Sequence, residues 1–340
     1  LKNETNRFGT GILYQEEDVE GSIYAVCTAC MSIYSEFLSF AQANKPRMVG
    51  YIDMKIDADN VVLLGCQVTD LAVLNDLVEL EFLMKKHPSK QFYVGGCLAR
   101  RFDIELPKGV KRLNNIKRDY QVLHDYELVN WINPFWVKDY NPMTIEGNLF
   151  RFDYPIRIGV GCNGSCSYCT IKVTRGENYL LDDYSQLERE FLAYPNTVLI
   201  ADSPTKDQLL KWCDVSIKNN KPISIRNVEP HVAMEIMPAL IDLSQKKLLS
   251  VFHSPIQSTN EFILKDMKRN SAAVFELLEA IGHLNKQTYT ATNIIIDYKD
   301  ILHTDPDHVL YFDYVSWNPY WDGVWDRKKA EDRFKHYFGG

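Results

Sequence analysis

The apolar residues of the first third of the chain follow two alternating periods. Asn60-Val61-Val62-Leu63-Leu64-Gly65 is an unbroken apolar run ending in glycine and reads as a buried strand. From Asp70 to Lys86 the residues Leu71, Leu74, Leu77, Leu80, Phe82 and Leu83 recur at helical spacing, which predicts a helix. Gln91-Phe92-Tyr93-Val94-Gly95-Gly96 is a second strand running into glycines. Units of this length imply a parallel sheet, because parallel neighbours need a crossover between them. The alternation resumes at Pro155–Val160, a strand, and continues through predicted helices at 184–193, 206–219, 233–243 and 272–284. The strands expected between them lie at 196–200, 222–226, 248–252 and 290–296. Repeated units of this kind close into a full or partial (β/α) barrel. A polar, proline-bearing stretch at 138–148 separates the two patterns and reads as a linker. The predicted organisation is an arm over residues 1–21, a parallel α/β sheet domain over 22–137, a linker over 138–150 and a barrel over 151–340.

The cysteines fall at informative points of this pattern. Functional groups in parallel sheets gather at the carboxyl ends of the strands. Cys66 and Cys97 each come directly after a predicted strand, and Cys30 follows the short apolar stretch Ile23-Tyr24-Ala25-Val26. Three strand ends of one sheet bring three thiols together although 36 and 31 positions separate them in sequence. The alternative is that all three are ordinary buried cysteines. In the second pattern, the strand at Pro155–Val160 delivers Gly161-Cys162-Asn163-Gly164-Ser165-Cys166-Ser167-Tyr168-Cys169, a C-x3-C-x2-C set with an aromatic before the last thiol. Three thiolates hold three corners of a cubane 4Fe–4S cluster and leave one iron open, whereas clusters that only carry electrons usually have four cysteines. Zinc is the rival metal, but structural zinc sites want four ligands and paired spacings. A polar, glycine-flanked loop argues against plain packing of the three sulfurs.

Composition narrows the field. Hydrophobic residues make up 46% of the 340 and aromatics 12%, enough for substantial cores. Eight cysteines with no secretory signal at the polar start, Leu1-Lys2-Asn3-Glu4-Thr5, imply a reducing compartment and metal or redox use, hence a cytoplasmic protein. No stretch approaches the roughly 18 apolar residues that a membrane span needs. The net charge of −7 counts against a broad electrostatic grip on nucleic acid. A local basic group, Lys111, Arg112, Lys117 and Arg118, reads as a solvated face.

The cysteine loop followed by Thr174-Arg175-Gly176-Glu177 resembles the cluster loop of the radical S-adenosylmethionine (SAM) methylthiotransferases, approximately G-C-N-x2-C-x-Y-C and then T-R-G. His253-Ser254-Pro255-Ile256-Gln257-Ser258 and Ile263-Leu264-Lys265-Asp266-Met267-Lys268-Arg269 resemble that family's H-x-P-x-Q-S…I-L-x-x-M-x-R segment. The contexts of Cys30, Cys66 and Cys97 are similar too, so the likeness runs from about Tyr24 to about Pro319. The resemblance implies an N-terminal parallel α/β domain followed by a radical SAM partial (β/α) barrel. It implies two 4Fe–4S clusters, one on Cys162, Cys166 and Cys169 and an auxiliary one on Cys30, Cys66 and Cys97, with SAM as the second cofactor. In the family one SAM methylates sulfur held at the auxiliary cluster, and another yields the radical that takes hydrogen from an unactivated C–H bond. A one-electron reductant such as flavodoxin or ferredoxin is implied as a partner.

Several residues keep two readings. Cys27 forms a C-x-x-C pair with Cys30, and the family likeness of the residues after Cys30 favours Cys30 as the ligand. Tyr168 packs by adenine or cluster, or is a core aromatic. Arg175 and Glu177 contact SAM, order the loop, or make a surface ion pair. Asn227, Glu229, Ser254, Gln257 and Ser258 follow predicted barrel strands and are candidates to line the SAM site, while His253 is more simply a core histidine. Cys213 reads as structural. Two departures matter: Ile294–Asp300 stands where the family usually has G-F-P-G-E, and Ala201-Asp202-Ser203 where it often has Gln. The chain ends at Gly340, where the family's RNA and ribosomal-protein modifiers usually add a small C-terminal β-barrel (TRAM) domain, and its absence is expected in this protein. The aromatic segment Trp317–Trp325 lines a substrate groove or closes the barrel bottom. The expected activity is methylthio insertion on a peptide or protein side chain. The same chemistry on a tRNA base is the runner-up. Behind it come a radical SAM enzyme whose auxiliary cluster transfers electrons or anchors substrate, and a non-enzymatic Fe–S or zinc module.

Overall fold

The computed structural model describes residues 19–43, 51–52, 55–56, 58–113, 154–180, 184–299 and 305–339. The expected linker at 138–150, most of the expected arm, and Lys117 and Arg118 lie outside them. The chain is α/β and divides into two compact units. The first comprises Leu1–Arg151, Val173–Gly176 and Gly323–Gly340, and the second Phe152–Lys172 and Glu177–Asp322.

The first unit is built on a four-stranded, wholly parallel sheet. Its chain order is β1 (Ile23–Cys27), a small antiparallel pair β2 (Tyr51–Ile52) and β3 (Lys55–Ile56), then β4 (Asn60–Gly65), β5 (Gln91–Gly95) and β6 (Lys111–Arg112). The sheet order is β1-β4-β5-β6. β4 is buried along its whole length, which explains why it reads as a continuous apolar run rather than an alternating one. The helix Asp70–Lys86 forms where its leucine spacing puts it. Thr69 caps its start by accepting from the Ala72 N–H, and Leu71, Leu74, Leu77, Leu80 and Leu83 are buried. Phe82, counted with that apolar set in the sequence, is 55% exposed. A helix at Arg327–Phe338 packs on it through Arg327 to Glu81 (2.5 and 2.9 Å) and Arg333 to Asp70 (2.6 Å). The barrel segment expected over 151–340 therefore ends earlier: the residues from Gly323 onward belong to the first unit. Arg112 of the basic group donates to the carbonyls of Leu98, Ala99 and Ile104, a structural role.

Register decides what happens at the end of this sheet. Cys27 is level with Leu64, and Leu64 is level with Gly95. The chain must then leave two adjacent strands side by side, and Gly96 allows it. Its φ is +70°, and a Cβ there would stand 2.7 Å from the Gly65 carbonyl oxygen. Gly96→Ala combines a left-handed strain with a backbone clash, and is expected to destabilise the first unit by more than about 1 kcal/mol. A lowered urea midpoint in the purified chain checks this, and an unchanged midpoint contradicts it.

The second unit carries a six-stranded parallel sheet. In chain order its strands are β7 (Tyr154–Arg157), then β8 (Gly159–Val160) and β9 (Tyr179–Leu180), which pair only with each other, and β10 (Thr197–Ile200). β11 (Ile223–Ile225), β12 (Leu249–His253), β13 (Tyr289–Ile296) and β14 (Tyr314–Pro319) complete it. The sheet order is β14-β13-β12-β11-β10-β7, with β7 and β14 as its edges. Helices at Tyr184–Ala193, Lys206–Lys218, Pro230–Gln245 and Ser271–Ile281 form the crossovers, the open version of a (β/α) barrel. The strand expected at 155–160 is split at Ile158, and the stretch past it forms the β8–β9 hairpin. The aromatic segment begins on an edge strand: Trp317 lies on β14 and is 44% exposed, while Trp321 is buried. Cys213 is buried in its helix beside the fully buried Trp212, as a structural residue would be.

One carboxylate in this core is costly. Glu190 is fully buried and accepts a 3.4 Å bond from the Tyr154 hydroxyl. Burial pushes its carboxyl from 4.5 up to about 8, against the Tyr154 bond and the Arg189 charge, which favour ionisation. Its folded pKa is the higher one, so its contribution is fully present below pH 4.5 and is lost as pH rises through about 8. Glu190→Gln should therefore raise stability at pH 9 by on the order of 3 kcal/mol and change it little at pH 5. Urea titrations at the two pH values check this; the same gain at both would refute it.

Candidate metal centres

Cys30 and Cys66 lie in strand-end loops of the first unit, and Cys97 in the short helix Gly96–Ala99 that directly follows β5. Cys66 lies two residues past Leu64, Cys97 two past Gly95 and Cys30 three past Cys27, so the level register delivers all three to one edge. Their electrostatics agree. The Cys66 thiol is raised first by burial, then by Cys30 and then by Cys97. Cys30 also acts on Cys97, whereas Cys27 appears in neither set and sits fully buried at its strand end. Cys30 acts on Cys27 as well as on Cys66 and Cys97.

The loops are held by buried polar groups. Asp76, from the helix Asp70–Lys86, accepts from the Thr28 hydroxyl (2.5 Å) and the Cys66 N–H (2.6 Å) and so ties two of the loops to one side chain. Burial pushes its carboxyl up to about 7, opposed by those two bonds. The sulfurs accept hydrogen bonds: Val68 N–H reaches Cys66 Sγ at 3.4 Å, and Arg175 reaches Cys97 Sγ with Nε at 3.2 Å and Nη2 at 3.1 Å. Arg175, expected near SAM or as a loop or surface residue, is thus placed in the first unit on a cysteine sulfur.

In the second unit, Cys162, Cys166 and Cys169 occupy one open loop, the first two half-buried and the third exposed. Each sulfur has a donor: Gly164 N–H at 3.2 Å from Cys162, Arg269 Nη1 at 3.9 Å from Cys166 and Ile171 N–H at 3.5 Å from Cys169. The loop is pinned on every side. Gly161 N–H donates to Asp202 (2.9 Å), and Asn163 accepts from the Asn178 N–H (3.0 Å). Ser167 donates its N–H to the Met267 carbonyl (3.2 Å), and its hydroxyl lies 2.9 Å from both the Asp266 carbonyl and the Tyr298 hydroxyl. Tyr168 packs against Ile263, Met267, Ile295 and Tyr298, and its hydroxyl accepts from Arg269 at 3.1 Å.

Arg269 is the residue that sequence reasoning passed over, although it ends the I-L-x-x-M-x-R match. Its side chain is 3% exposed. It also pairs with Glu229 (2.8 Å) and donates to the Pro255 carbonyl (2.5 Å), so one guanidinium joins the cysteine loop to the loops after β11 and β12. Glu229 keeps 30% exposure and so remains accessible to a ligand.

Hydrogen bonds to ligand sulfurs are how proteins hold and tune iron–sulfur groups, and Cys66, Cys97, Cys162, Cys166 and Cys169 each accept one. Among the described residues, no three His, Cys, Asp or Glu side chains gather as tightly as a single metal ion requires.

No protein-family model matches the chain. Curated relatives do. The ribosomal protein uS12 methylthiotransferase RimO of Fervidobacterium nodosum is 25% identical over 317 residues, covering 85% of this chain and 72% of the relative. The protein of the same name from Pseudothermotoga lettingae is 25% identical over 284 residues, covering 75% and 64%. That from Caldicellulosiruptor saccharolyticus is 28% identical over 294 residues, covering 77% and 65%. The chain is similar to these methylthiotransferases over most of its length. It spans about two thirds of the length of these relatives.

The other residues expected at a SAM site are distributed unevenly. Asn227, at φ +58°, donates its N–H to His253 Nδ1 (3.1 Å). Burial, then the Arg226 charge, pushes that imidazole down to about 3, so it stays neutral and acts as an acceptor. Ser254 is fully buried and donates to the Val228 carbonyl (2.6 Å), which makes it a tie between loops. Gln257, at φ +70°, bridges to β13 through its backbone, donating to Asn293 O (2.8 Å) and accepting from Ile295 N–H (2.9 Å). Ser258 is buried and accepts from the Asn260 N–H (3.0 Å), while Glu177 is exposed. Arg269→Lys keeps the charge but loses the fork that reaches Tyr168, Glu229 and Pro255 together. Iron on the Cys162–Cys166–Cys169 loop should then be lost roughly 10-fold faster to a chelator. Wild-type retention would show that the guanidinium does not brace the loop.

Proposed function

We propose that this chain is a two-cluster radical SAM methylthiotransferase that places a methylthio group on a protein side chain at an unactivated C–H bond. The observation that carries the reading is the pair of three-cysteine sets, with N–H donors on Cys66 and Cys97 in one and on all three sulfurs in the other. Cys162, Cys166 and Cys169 would hold the cluster that engages SAM, and Cys30, Cys66 and Cys97 the auxiliary one. When bound, the first group with SAM supplies a 5′-deoxyadenosyl radical, and the second supplies the sulfur that becomes methylated.

The chain's own residues bind and orient. Arg269 and Ser167 fix the first loop, and Asp76 with Gly96 fixes the other three-cysteine edge. Glu229, paired yet accessible, is suited to a cationic amino group such as that of SAM. Neutral His253 sets the Asn227 backbone beside it. A short-lived radical needs such fixed placement, since proximity replaces diffusion. The relatives' names give ribosomal protein uS12 as their substrate, and this favours a protein side chain over a tRNA base. Among the described residues no helix is long and apolar enough to cross a membrane. A one-electron reductant of the flavodoxin or ferredoxin kind would complete the system.

Anaerobic reconstitution should give about eight irons per chain. Cys66→Ala should lower this to about four, spare reductive SAM cleavage and abolish S–CH3 addition, read by mass spectrometry of uS12 and tRNA after co-expression. Thiolation that survives Cys66→Ala would sink the auxiliary-cluster role, and a methylthio group found on tRNA alone would move the substrate to the runner-up.

A further inference from the structure

Arg175 is 4% exposed and meets a cysteine that is itself fully buried. Two of its nitrogens, Nε and Nη2, lie at 3.2 and 3.1 Å from Cys97 Sγ. That is a fork closed on one sulfur, the charge-assisted arrangement a guanidinium makes and an ammonium does not. Its position is set by a ladder of buried side chains. Arg101 is clamped by Asp103 (2.7 and 2.6 Å) and the Gly323 carbonyl (2.9 Å), and it donates to Gln67 Oε1 (2.9 Å). Gln67 in turn donates to the Thr174 hydroxyl (3.2 Å), the neighbour of Arg175. Arg100 differs. Its Nη1 stands 4.0 Å from the same sulfur, and its Nη2 is engaged with Glu36 at 3.1 Å.

We infer that Arg175 is a positioning residue that sets the reduction potential of the group held by Cys30, Cys66 and Cys97, and is not a SAM contact. The inference rests on the reading that these three cysteines hold an iron–sulfur cluster. One-electron reduction adds negative charge to such a group. A fixed cation hydrogen-bonded to a ligand sulfur in a buried place stabilises the reduced form and raises the potential. Arg100, farther away and paired to a carboxylate, contributes less.

The test uses the full chain with Cys162, Cys166 and Cys169 all changed to Ala, reconstituted anaerobically and followed by EPR during redox titration. Arg175→Gln should move the midpoint to more negative potential by at least a tenfold change in the reduction equilibrium, 59 mV for a one-electron couple. Arg175→Lys should fall between Gln and wild type, and Arg100→Gln should shift less than Arg175→Gln. If Arg175→Gln fails to take up iron, the Lys variant alone decides by the same measure. Midpoints equal to wild type, or Arg100→Gln shifting as far, would overturn the inference while leaving the cluster reading intact. A parent that binds no iron would overturn the cluster reading, and the inference with it.

Discussion

A parallel sheet returns its chain to the same end before each new strand, so all its carboxyl ends open on one side. The first unit depends on this constraint. Cys27, Leu64 and Gly95 stand level, and the residues that leave them within three positions are the cysteines. A one-residue slip of β5 would shift the start of the helix that carries Cys97 relative to the Cys66 loop, because the strand register sets where each exit begins. Gly96 stabilises the in-register exit: any Cβ there would collide with Gly65 before the loops could meet.

Thiolates collected in this way need partners, and the two units supply them differently. The second unit uses mainly backbone N–H groups of its own loop, with Arg269 reaching in from 103 positions away. The first unit combines one backbone N–H with the side chain of Arg175, 78 positions from the sulfur it meets. Burial raises the Cys97 thiol, and Arg175 and then Arg100 oppose that rise. A buried sulfur is more sensitive to such charges than an exposed one, since little water screens them.

What could be read from the sequence follows this division. Strands at 60–65 and 91–95 and the helix at 70–86 were visible because apolar periodicity is a local signal. Arg269 and the placement of Arg175 were not visible, because a contact across 78 or 103 positions leaves no local pattern. Asp76 was hidden for another reason: within a leucine-rich helix one acid looks like the polar face, and only the fold shows it buried under Thr28 and Cys66. Strand β14 was missed as well: the aromatic residues from Trp317 onward were read for a substrate groove or a barrel closure, and not for an edge strand beginning at Tyr314.

The turn Ile296–Lys299 shows side chains bracing a strained backbone. Asp297 and Lys299 both have φ near +53°, a region that suits glycine, and they flank Tyr298. Two such residues cost roughly 1–2 kcal/mol each. The Lys299–Asp266 pair at 2.5 Å offsets little of this, because both side chains are about half exposed. Tyr298 offsets more. Its ring is buried with Ile263, Met267 and Ile295 and stands edge-on to Tyr320, worth roughly 2–4 kcal/mol together. Its hydroxyl then reaches Ser167 at 2.9 Å. The strained turn thus holds a phenol against the cysteine loop, and a side chain supplies the bracing that a glycine-rich turn could provide only through its backbone.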